Sequence, residues 1–304
     1  MSDLPLISRA RTHGSTVAFQ SQAGAHTYQD LLGRSALLAT ALLGELEDLQ
    51  ETRVALLVPP GFDYAAAQWG IWRAGGVKVP LCLSATEGEW EYSLTDSGAA
   101  FVLATAFLVG KIGPLCLRLG VRLLVVDEVS PAAVKQLPAL TPARRAMILY
   151  TSGTTSKPKG VVTTHAHIQA QIESLVQAWE WSAVDCIPLF LPLHHIHGII
   201  NVTSCALWAG ARIEGFERFD LSAILERVRA AAYTVFMAVP TIYVKLIQAL
   251  ESAVPEDRAA IINGFAGMRL MVSGSAALPA SVHEKWTALT GQKLLERYGM
   301  TEIG

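Results

Sequence analysis

Short apolar runs alternate with longer stretches of helical periodicity through the first half of the chain. Residues 27–46, "TYQDLLGRSALLATALLGEL", space leucines and alanines at helical intervals behind Thr27, which is placed to cap the helix. "RVALLVP" (53–59) is a brief apolar run closed by proline, the pattern of a buried parallel strand. "YAAAQWGIWRAGG" (64–76) predicts a helix stopped by Gly75 and Gly76, and "VKVPL", "FVLAT" and "RLLVV" repeat the strand signal. This alternation predicts an α/β chain with a doubly wound sheet.

The second half keeps the rhythm, but every candidate strand runs into a polar or unusual loop. "AMILY" leads to a hydroxyl-rich loop, "IPLFLPL" to "HHIHG", "YTVFMAV" to "PTIYVK", "RLMV" to "SGSAAL" and "KLLERYG" to "MTEIG". Ligands in open α/β sheets bind beyond the carboxyl ends of the strands. If these five strands are parallel neighbours, their loops converge on one crevice. Two α/β parts are expected, approximately 1–145 and 146–304, with the nucleotide and acyl sites in the second.

Composition narrows the class. At 304 residues, 51% hydrophobic and 16% charged, the chain is long and apolar enough for a globular enzyme core. A net charge of -2 without a basic run gives no support for nucleic acid as a partner. Cys82, Cys116, Cys186 and Cys205 are scattered, as in a reducing compartment. No apolar segment reaches the ~20 residues a membrane span needs. Asp3 and Pro5 count against a transit peptide, so a soluble cytoplasmic chain is expected, with mitochondria open for a eukaryotic source.

"YTSGTTSKPKG" (150–160) carries five serine and threonine hydroxyls, two glycines and two lysines between two apolar runs. Backbone N–H groups around Gly153 with those hydroxyls and a lysine suit phosphate oxygens. The standard P-loop order is absent, because Pro158 and Lys159 precede Gly160. "ERYGMTE" (296–302) ends in a Thr–Glu pair, a weak sign of Mg²⁺ and phosphate binding on its own. The histidines of "HHIHG" read better as substrate-contacting or satisfied groups than as a metal site, since His194 and His195 would face opposite ways if extended. Pro240 suits a helix first turn, which sets Lys245 near the crevice mouth, although a lysine there is most often simply solvated.

Together these motifs resemble the adenylate-forming superfamily of acyl-CoA synthetases, luciferases and adenylation domains. "YTSGTTSKPKG" is similar to its phosphate loop and "ERYGMTE" to its nucleotide and magnesium motif. "LPLHHIHGIIN", "FMAVPTIYVKL" and "RLMVSGSAALP" look most like malonyl-CoA synthetases of the mitochondrial type. The resemblance implies the large N-terminal domain of that fold, layered sheets flanked by helices. It implies an acid–thiol ligase that joins malonate to AMP using ATP and Mg²⁺, then passes the acyl group to coenzyme A.

By the same resemblance Thr151, Ser152, Gly153, Thr154, Thr155 and Lys159 hold the phosphates. Gly274, Ser275 and Ala276 with Glu296, Arg297, Tyr298 and Gly299 bound the adenine pocket. Thr301 contacts the α-phosphate, and Glu302 with Thr151 holds Mg²⁺. His195 lies beside the acyl and coenzyme A channel, and His197, Lys245 and Ser275 line the acyl pocket. Lys159, His195, Thr301 and Glu302 are the expected catalytic set. Ser156 stands where the family motif usually has glycine. Because the chain stops at Gly304, the family's C-terminal domain, needed for the full cycle, is expected to lie outside it. Another carboxylic acid as substrate, and a non-catalytic nucleotide-binding fragment, remain open alternatives.

Overall fold

Thr27 caps its helix as its position predicts. Its hydroxyl accepts from the Asp30 amide at 3.1 Å, and the Asp30 carboxylate accepts from the Thr27 amide at 2.7 Å. This reciprocal box opens the helix Tyr28–Leu43. The helix lies against a second one, Phe62–Arg73, whose Trp69 and Trp72 are buried. The chain turns out of that second helix through Gly75 at φ +81°, as the glycine pair predicts.

A computed structural model describes residues 3–130, 133–151 and 157–303. Its strands in chain order are β1 (Val17–Ser21), β2 (Gly24–Thr27), β3 (Arg53–Leu57), β4 (Val77–Pro80), β5 (Phe101–Ala104), β6 (Arg122–Val125) and β7 (Arg145–Thr151). There follow β8 (Lys159–Thr164), β9 (Cys186–Leu189), β10 (Arg212–Gly215), β11 (Val235–Ala238), β12 (Leu270–Gly274) and β13 (Leu295–Arg297). They form a six-stranded sheet β6-β5-β3-β4-β7-β8, a four-stranded sheet β2-β1-β10-β9 and a three-stranded sheet β11-β12-β13. Within the first sheet all pairs are parallel except β7 with β8.

The five strands with polar loops are therefore not neighbours in one sheet: β7 belongs to the first, β9 to the second and β11–β13 to the third. The crevice is assembled between sheets. The Thr234 amide donates to the Cys186 carbonyl at 3.0 Å, so the second and third sheets meet edge to edge at β9 and β11.

Buried Asp185 fastens the amino ends of these strands. It accepts from Arg269 Nε at 2.8 Å and Nη2 at 2.5 Å, from the Thr234 hydroxyl at 2.7 Å and from the Ser182 amide at 2.8 Å. Burial pushes its carboxyl up, but the guanidinium and hydroxyl bonds outweigh it and hold the group below the usual range. With the amino ends tied, the carboxyl ends are free to carry loops. No helix among the described residues is long and apolar enough to cross a membrane.

Candidate active site

Two cavities adjoin at the carboxyl ends of the strands. One, of about 650 Å³, opens where the strand order of the large sheet reverses, beside Val58 and Pro60 after β3 and Leu81 and Cys82 after β4. Its other walls bring together His195 and His197 from the segment after β9, Lys245 from a helix and Ser275 from the loop after β12. A second cavity of about 730 Å³ is lined by Thr151, Lys157, Pro158 and Thr301. His194 and His195 line both, so this histidine pair stands between them. A third groove, about 580 Å³, holds Arg297, Thr301 and Glu302 on its wall.

The histidine segment is a turn rather than an extended stretch, which corrects the picture of opposed side chains. The rings of His194 and His195 lie 4.2 Å apart at an interplanar angle of 49°. The turn is tied from beneath, because the Tyr64 hydroxyl donates to the Leu193 carbonyl. Tyr64 in turn accepts from the fully buried Lys78 Nζ at 3.3 Å, and Lys78 also donates to Gln68. His197 then heads a π-helical turn, His197–Ser204, in which the Thr203 and Ser204 hydroxyls donate to carbonyls five residues back. Such widened turns concentrate at functional sites.

His197 is buried and its Nδ1 hydrogen-bonds the Ser275 hydroxyl at 3.0 Å. Burial, helped by the nearby Arg297 charge and by His195, pulls its pKa down to about 4, so the ring is neutral at pH 7. His194 is likewise lowered to about 4 by burial and by His195, while His195 is lowered by burial. Gly274 allows the close approach of this imidazole: a Cβ there would lie 3.1 Å from His197 Cε1. Ser275 itself has φ +67°, the left-handed region that non-glycine residues avoid, at the contact with His197.

Lys245 lies in the helix Pro240–Ser252, which Pro240 begins as predicted. Its ammonium sits 5.9 Å from the Phe219 ring centroid, and it makes no ion pair among the described residues. The β12–β13 register sets Gly274 opposite Arg297, so the two segments expected around adenine adjoin. Glu296 is spent within that frame, accepting from the Leu278 amide at 2.8 Å. Gly299 packs tightly on the Arg297 guanidinium, and Tyr298 and Ala276 are exposed.

Lys159 faces Thr151 across the β7–β8 pair but lines none of the three hollows. Ser152, Gly153, Thr154, Thr155 and Ser156 lie outside the described residues. No group of three or more His, Cys, Asp or Glu side chains is arranged to hold a metal among the described residues.

Tyr64, Cys82, Ser84, Glu217, Arg218 and Phe219 also line the first cavity and carried no signal of their own in the sequence. Cys82 and Ser84 follow "VKVPL", so the strand-end rule applied to that run would have found them. Residues 217–219 follow β10, whose four residues mix charge and apolarity too evenly to signal a strand.

Residues 6–304 match the model of the family described as AMP-binding enzyme. The mitochondrial malonate–CoA ligase of Homo sapiens is 40% identical over 319 residues, covering 99% of this chain and 55% of that protein. The crystal structure of ATP-bound MatB from Rhodopseudomonas palustris superposes with a TM-score of 0.84 at 28% identity, over 99% of this chain and 60% of that one. A malonyl-CoA ligase with methylmalonyl-CoA and AMP bound gives a TM-score of 0.82 at 28% identity, over 99% and 61%. The chain spans about half the length of the curated relatives it matches.

Proposed function

The chain belongs to the AMP-binding enzyme family, and from that premise we propose that it serves an ATP-dependent acid–thiol ligase acting on malonate or a close dicarboxylate. A carboxylate oxygen of the acid attacks the α-phosphorus of ATP, releasing pyrophosphate. The thiol of coenzyme A then attacks the acyl carbonyl, releasing AMP. The observation that carries the dicarboxylate reading is the single cavity shared by His195, His197, Lys245 and Ser275.

Malonate keeps one carboxylate free throughout, and burying that charge unpaired would be costly. Lys245, without an acidic partner among the described residues, supplies the opposite charge, and the Ser275 hydroxyl supplies a donor. His197, neutral at pH 7, adds shape and a hydrogen bond without a second charge. His195 stands between the acyl-side cavity and the cavity lined by Thr151 and Thr301, where the acyl carbon would meet phosphate and then thiol.

On the phosphate side Thr151, Ser152, Gly153, Thr154, Thr155 and Lys159 are assigned the β- and γ-phosphates, and Thr301 the α-phosphate. Gly274, Ser275, Ala276, Glu296, Arg297, Tyr298 and Gly299 are assigned the adenosine. Thr301 lines both the cavity of Thr151 and the groove of Glu302, and these hard oxygen donors would suit a magnesium ion keeping several waters. Bound there, Mg²⁺ would offset charge on the phosphates. Catalysis by the chain's own groups is chiefly positioning and charge stabilisation. Full turnover is assigned to a protein that also carries the part of the relatives' length this chain does not match. For the compartment, the human relative's name supports mitochondria over cytoplasm.

The test is calorimetric binding of non-hydrolysable malonyl-AMP and acetyl-AMP analogues to the intact protein and to Lys245→Ala. The wild type should prefer the malonyl analogue, and the variant should lose about 2–5 kcal/mol of malonyl binding while acetyl binding stays. Equal affinity of the wild type for both analogues would discard the dicarboxylate reading.

A further inference from the structure

We infer that Arg218 is a second specificity-determining cation of the acyl-side cavity, forking onto the free carboxylate that Lys245 attracts. The inference rests on the dicarboxylate reading above and adds a residue to it.

Residues 217–219 form a short arch fixed at both ends. On one side the Phe216 amide donates to the Leu189 carbonyl at 2.8 Å, pinning the exit of β10 to β9. On the other the Asp220 carboxylate accepts from the Ala223 amide at 3.0 Å and caps the helix Leu221–Arg229. Between them Glu217, Arg218 and Phe219 all line the cavity. The Phe219 ring packs against Phe190 with centroids 5.2 Å apart and carries the Lys245 ammonium at 5.9 Å. Arg218 is therefore the chain neighbour of the ring on which Lys245 rests, and the two cations belong to one end of the cavity.

Charge completes the case. Nearby arginines are already paired, Arg227 with Glu214 at 2.8 Å and Arg229 with Asp257 at 2.7 Å. Glu217, Arg218 and Lys245 enter no ion pair among the described residues. Two cations and one acid leave this end with a single positive charge, which matches one free carboxylate. Lysine offers a point charge, whereas a guanidinium offers two parallel N–H donors that a carboxylate accepts together. Arg218 therefore contributes orientation as well as charge, and Glu217 weakens the site for any anion that binds without the fork.

The experiment measures the same two adenylate analogues against Arg218→Gln, Arg218→Lys and Glu217→Gln in the intact protein. Arg218→Gln should weaken the malonyl analogue about tenfold and leave the acetyl analogue within about twofold. Arg218→Lys should fall between the wild type and Arg218→Gln, and Glu217→Gln should tighten the malonyl analogue about threefold. Thermal unfolding should not move, because Arg218 is exposed and enters no ion pair among the described residues. A wild type that prefers malonyl while Arg218→Gln keeps the whole preference overturns this inference and leaves the dicarboxylate reading standing. A wild type with no preference overturns both.

Discussion

Ser275 combines an unfavourable backbone with a useful hydroxyl, and two substitutions separate them. At φ +67° an L-residue costs about 1–2 kcal/mol relative to its ordinary conformations, a penalty glycine does not carry. The hydroxyl lies 3.0 Å from Nδ1 of the buried His197 ring, so deleting it strands a ring nitrogen. That loss is worth about 1–3 kcal/mol, at the lower end here because Ser275 faces the cavity and water can replace it. Ser275→Ala keeps the backbone penalty and loses the bond, so it should destabilise by about 1 kcal/mol. Ser275→Gly loses the same bond but releases the backbone, so it should come out near neutral, about 1 kcal/mol above the alanine variant. Urea unfolding of both variants with unchanged m-values reads the difference directly. Both should lose malonyl-analogue affinity alike, since neither has the hydroxyl. A glycine variant no more stable than the alanine variant would refute the claim that backbone strain is stored at this position.

Much of the frame was legible because local chemistry and packing agree there. Thr27, the glycine pair 75–76 and Pro240 mark helix ends by rules that need only a few neighbouring residues. The apolar runs around β3, β4 and β5 are buried on both faces, so sequence shows them as mostly hydrophobic runs. Sheet membership was not legible. Whether β9 pairs with β10 or with β7 depends on partners far along the chain, and β10 and the β1–β2 hairpin are too short and polar to announce themselves. The same limit applied at the site. Lys245 and Ser275 could be named through a resemblance, but their meeting with His197 needed three strand ends from two sheets. Nothing local in the sequence marks Arg218, because its place depends on the Asp220 cap and the Phe216 anchor that fix its arch beside Phe219.

Two further outcomes concern stability. Gly264 lies where the helices Pro255–Ala266 and Leu221–Arg229 touch, and a Cβ there would fall 2.0 Å from the Val228 carbonyl oxygen. Neither backbone can rotate away, so Gly264→Ala should cost about 3 kcal/mol or more, whereas Gly33→Ala, in the open helix Tyr28–Leu43, should gain up to about 1 kcal/mol. Equal melting temperatures for the two variants would contradict that packing. The second outcome concerns acid. Burial, the largest cause in each case, lowers His165, His194 and His197 from 6.5 to about 4. Between pH 6.5 and about 4 the unfolded chain therefore binds protons that the folded chain refuses, and stability must rise with pH across that window. Each ring contributes a slope of at most about 1.4 kcal/mol per pH unit. Urea midpoints should thus already fall as pH drops from 6.5 to about 5, before most carboxylates titrate, and a flat profile there would mean that these rings are not buried as described.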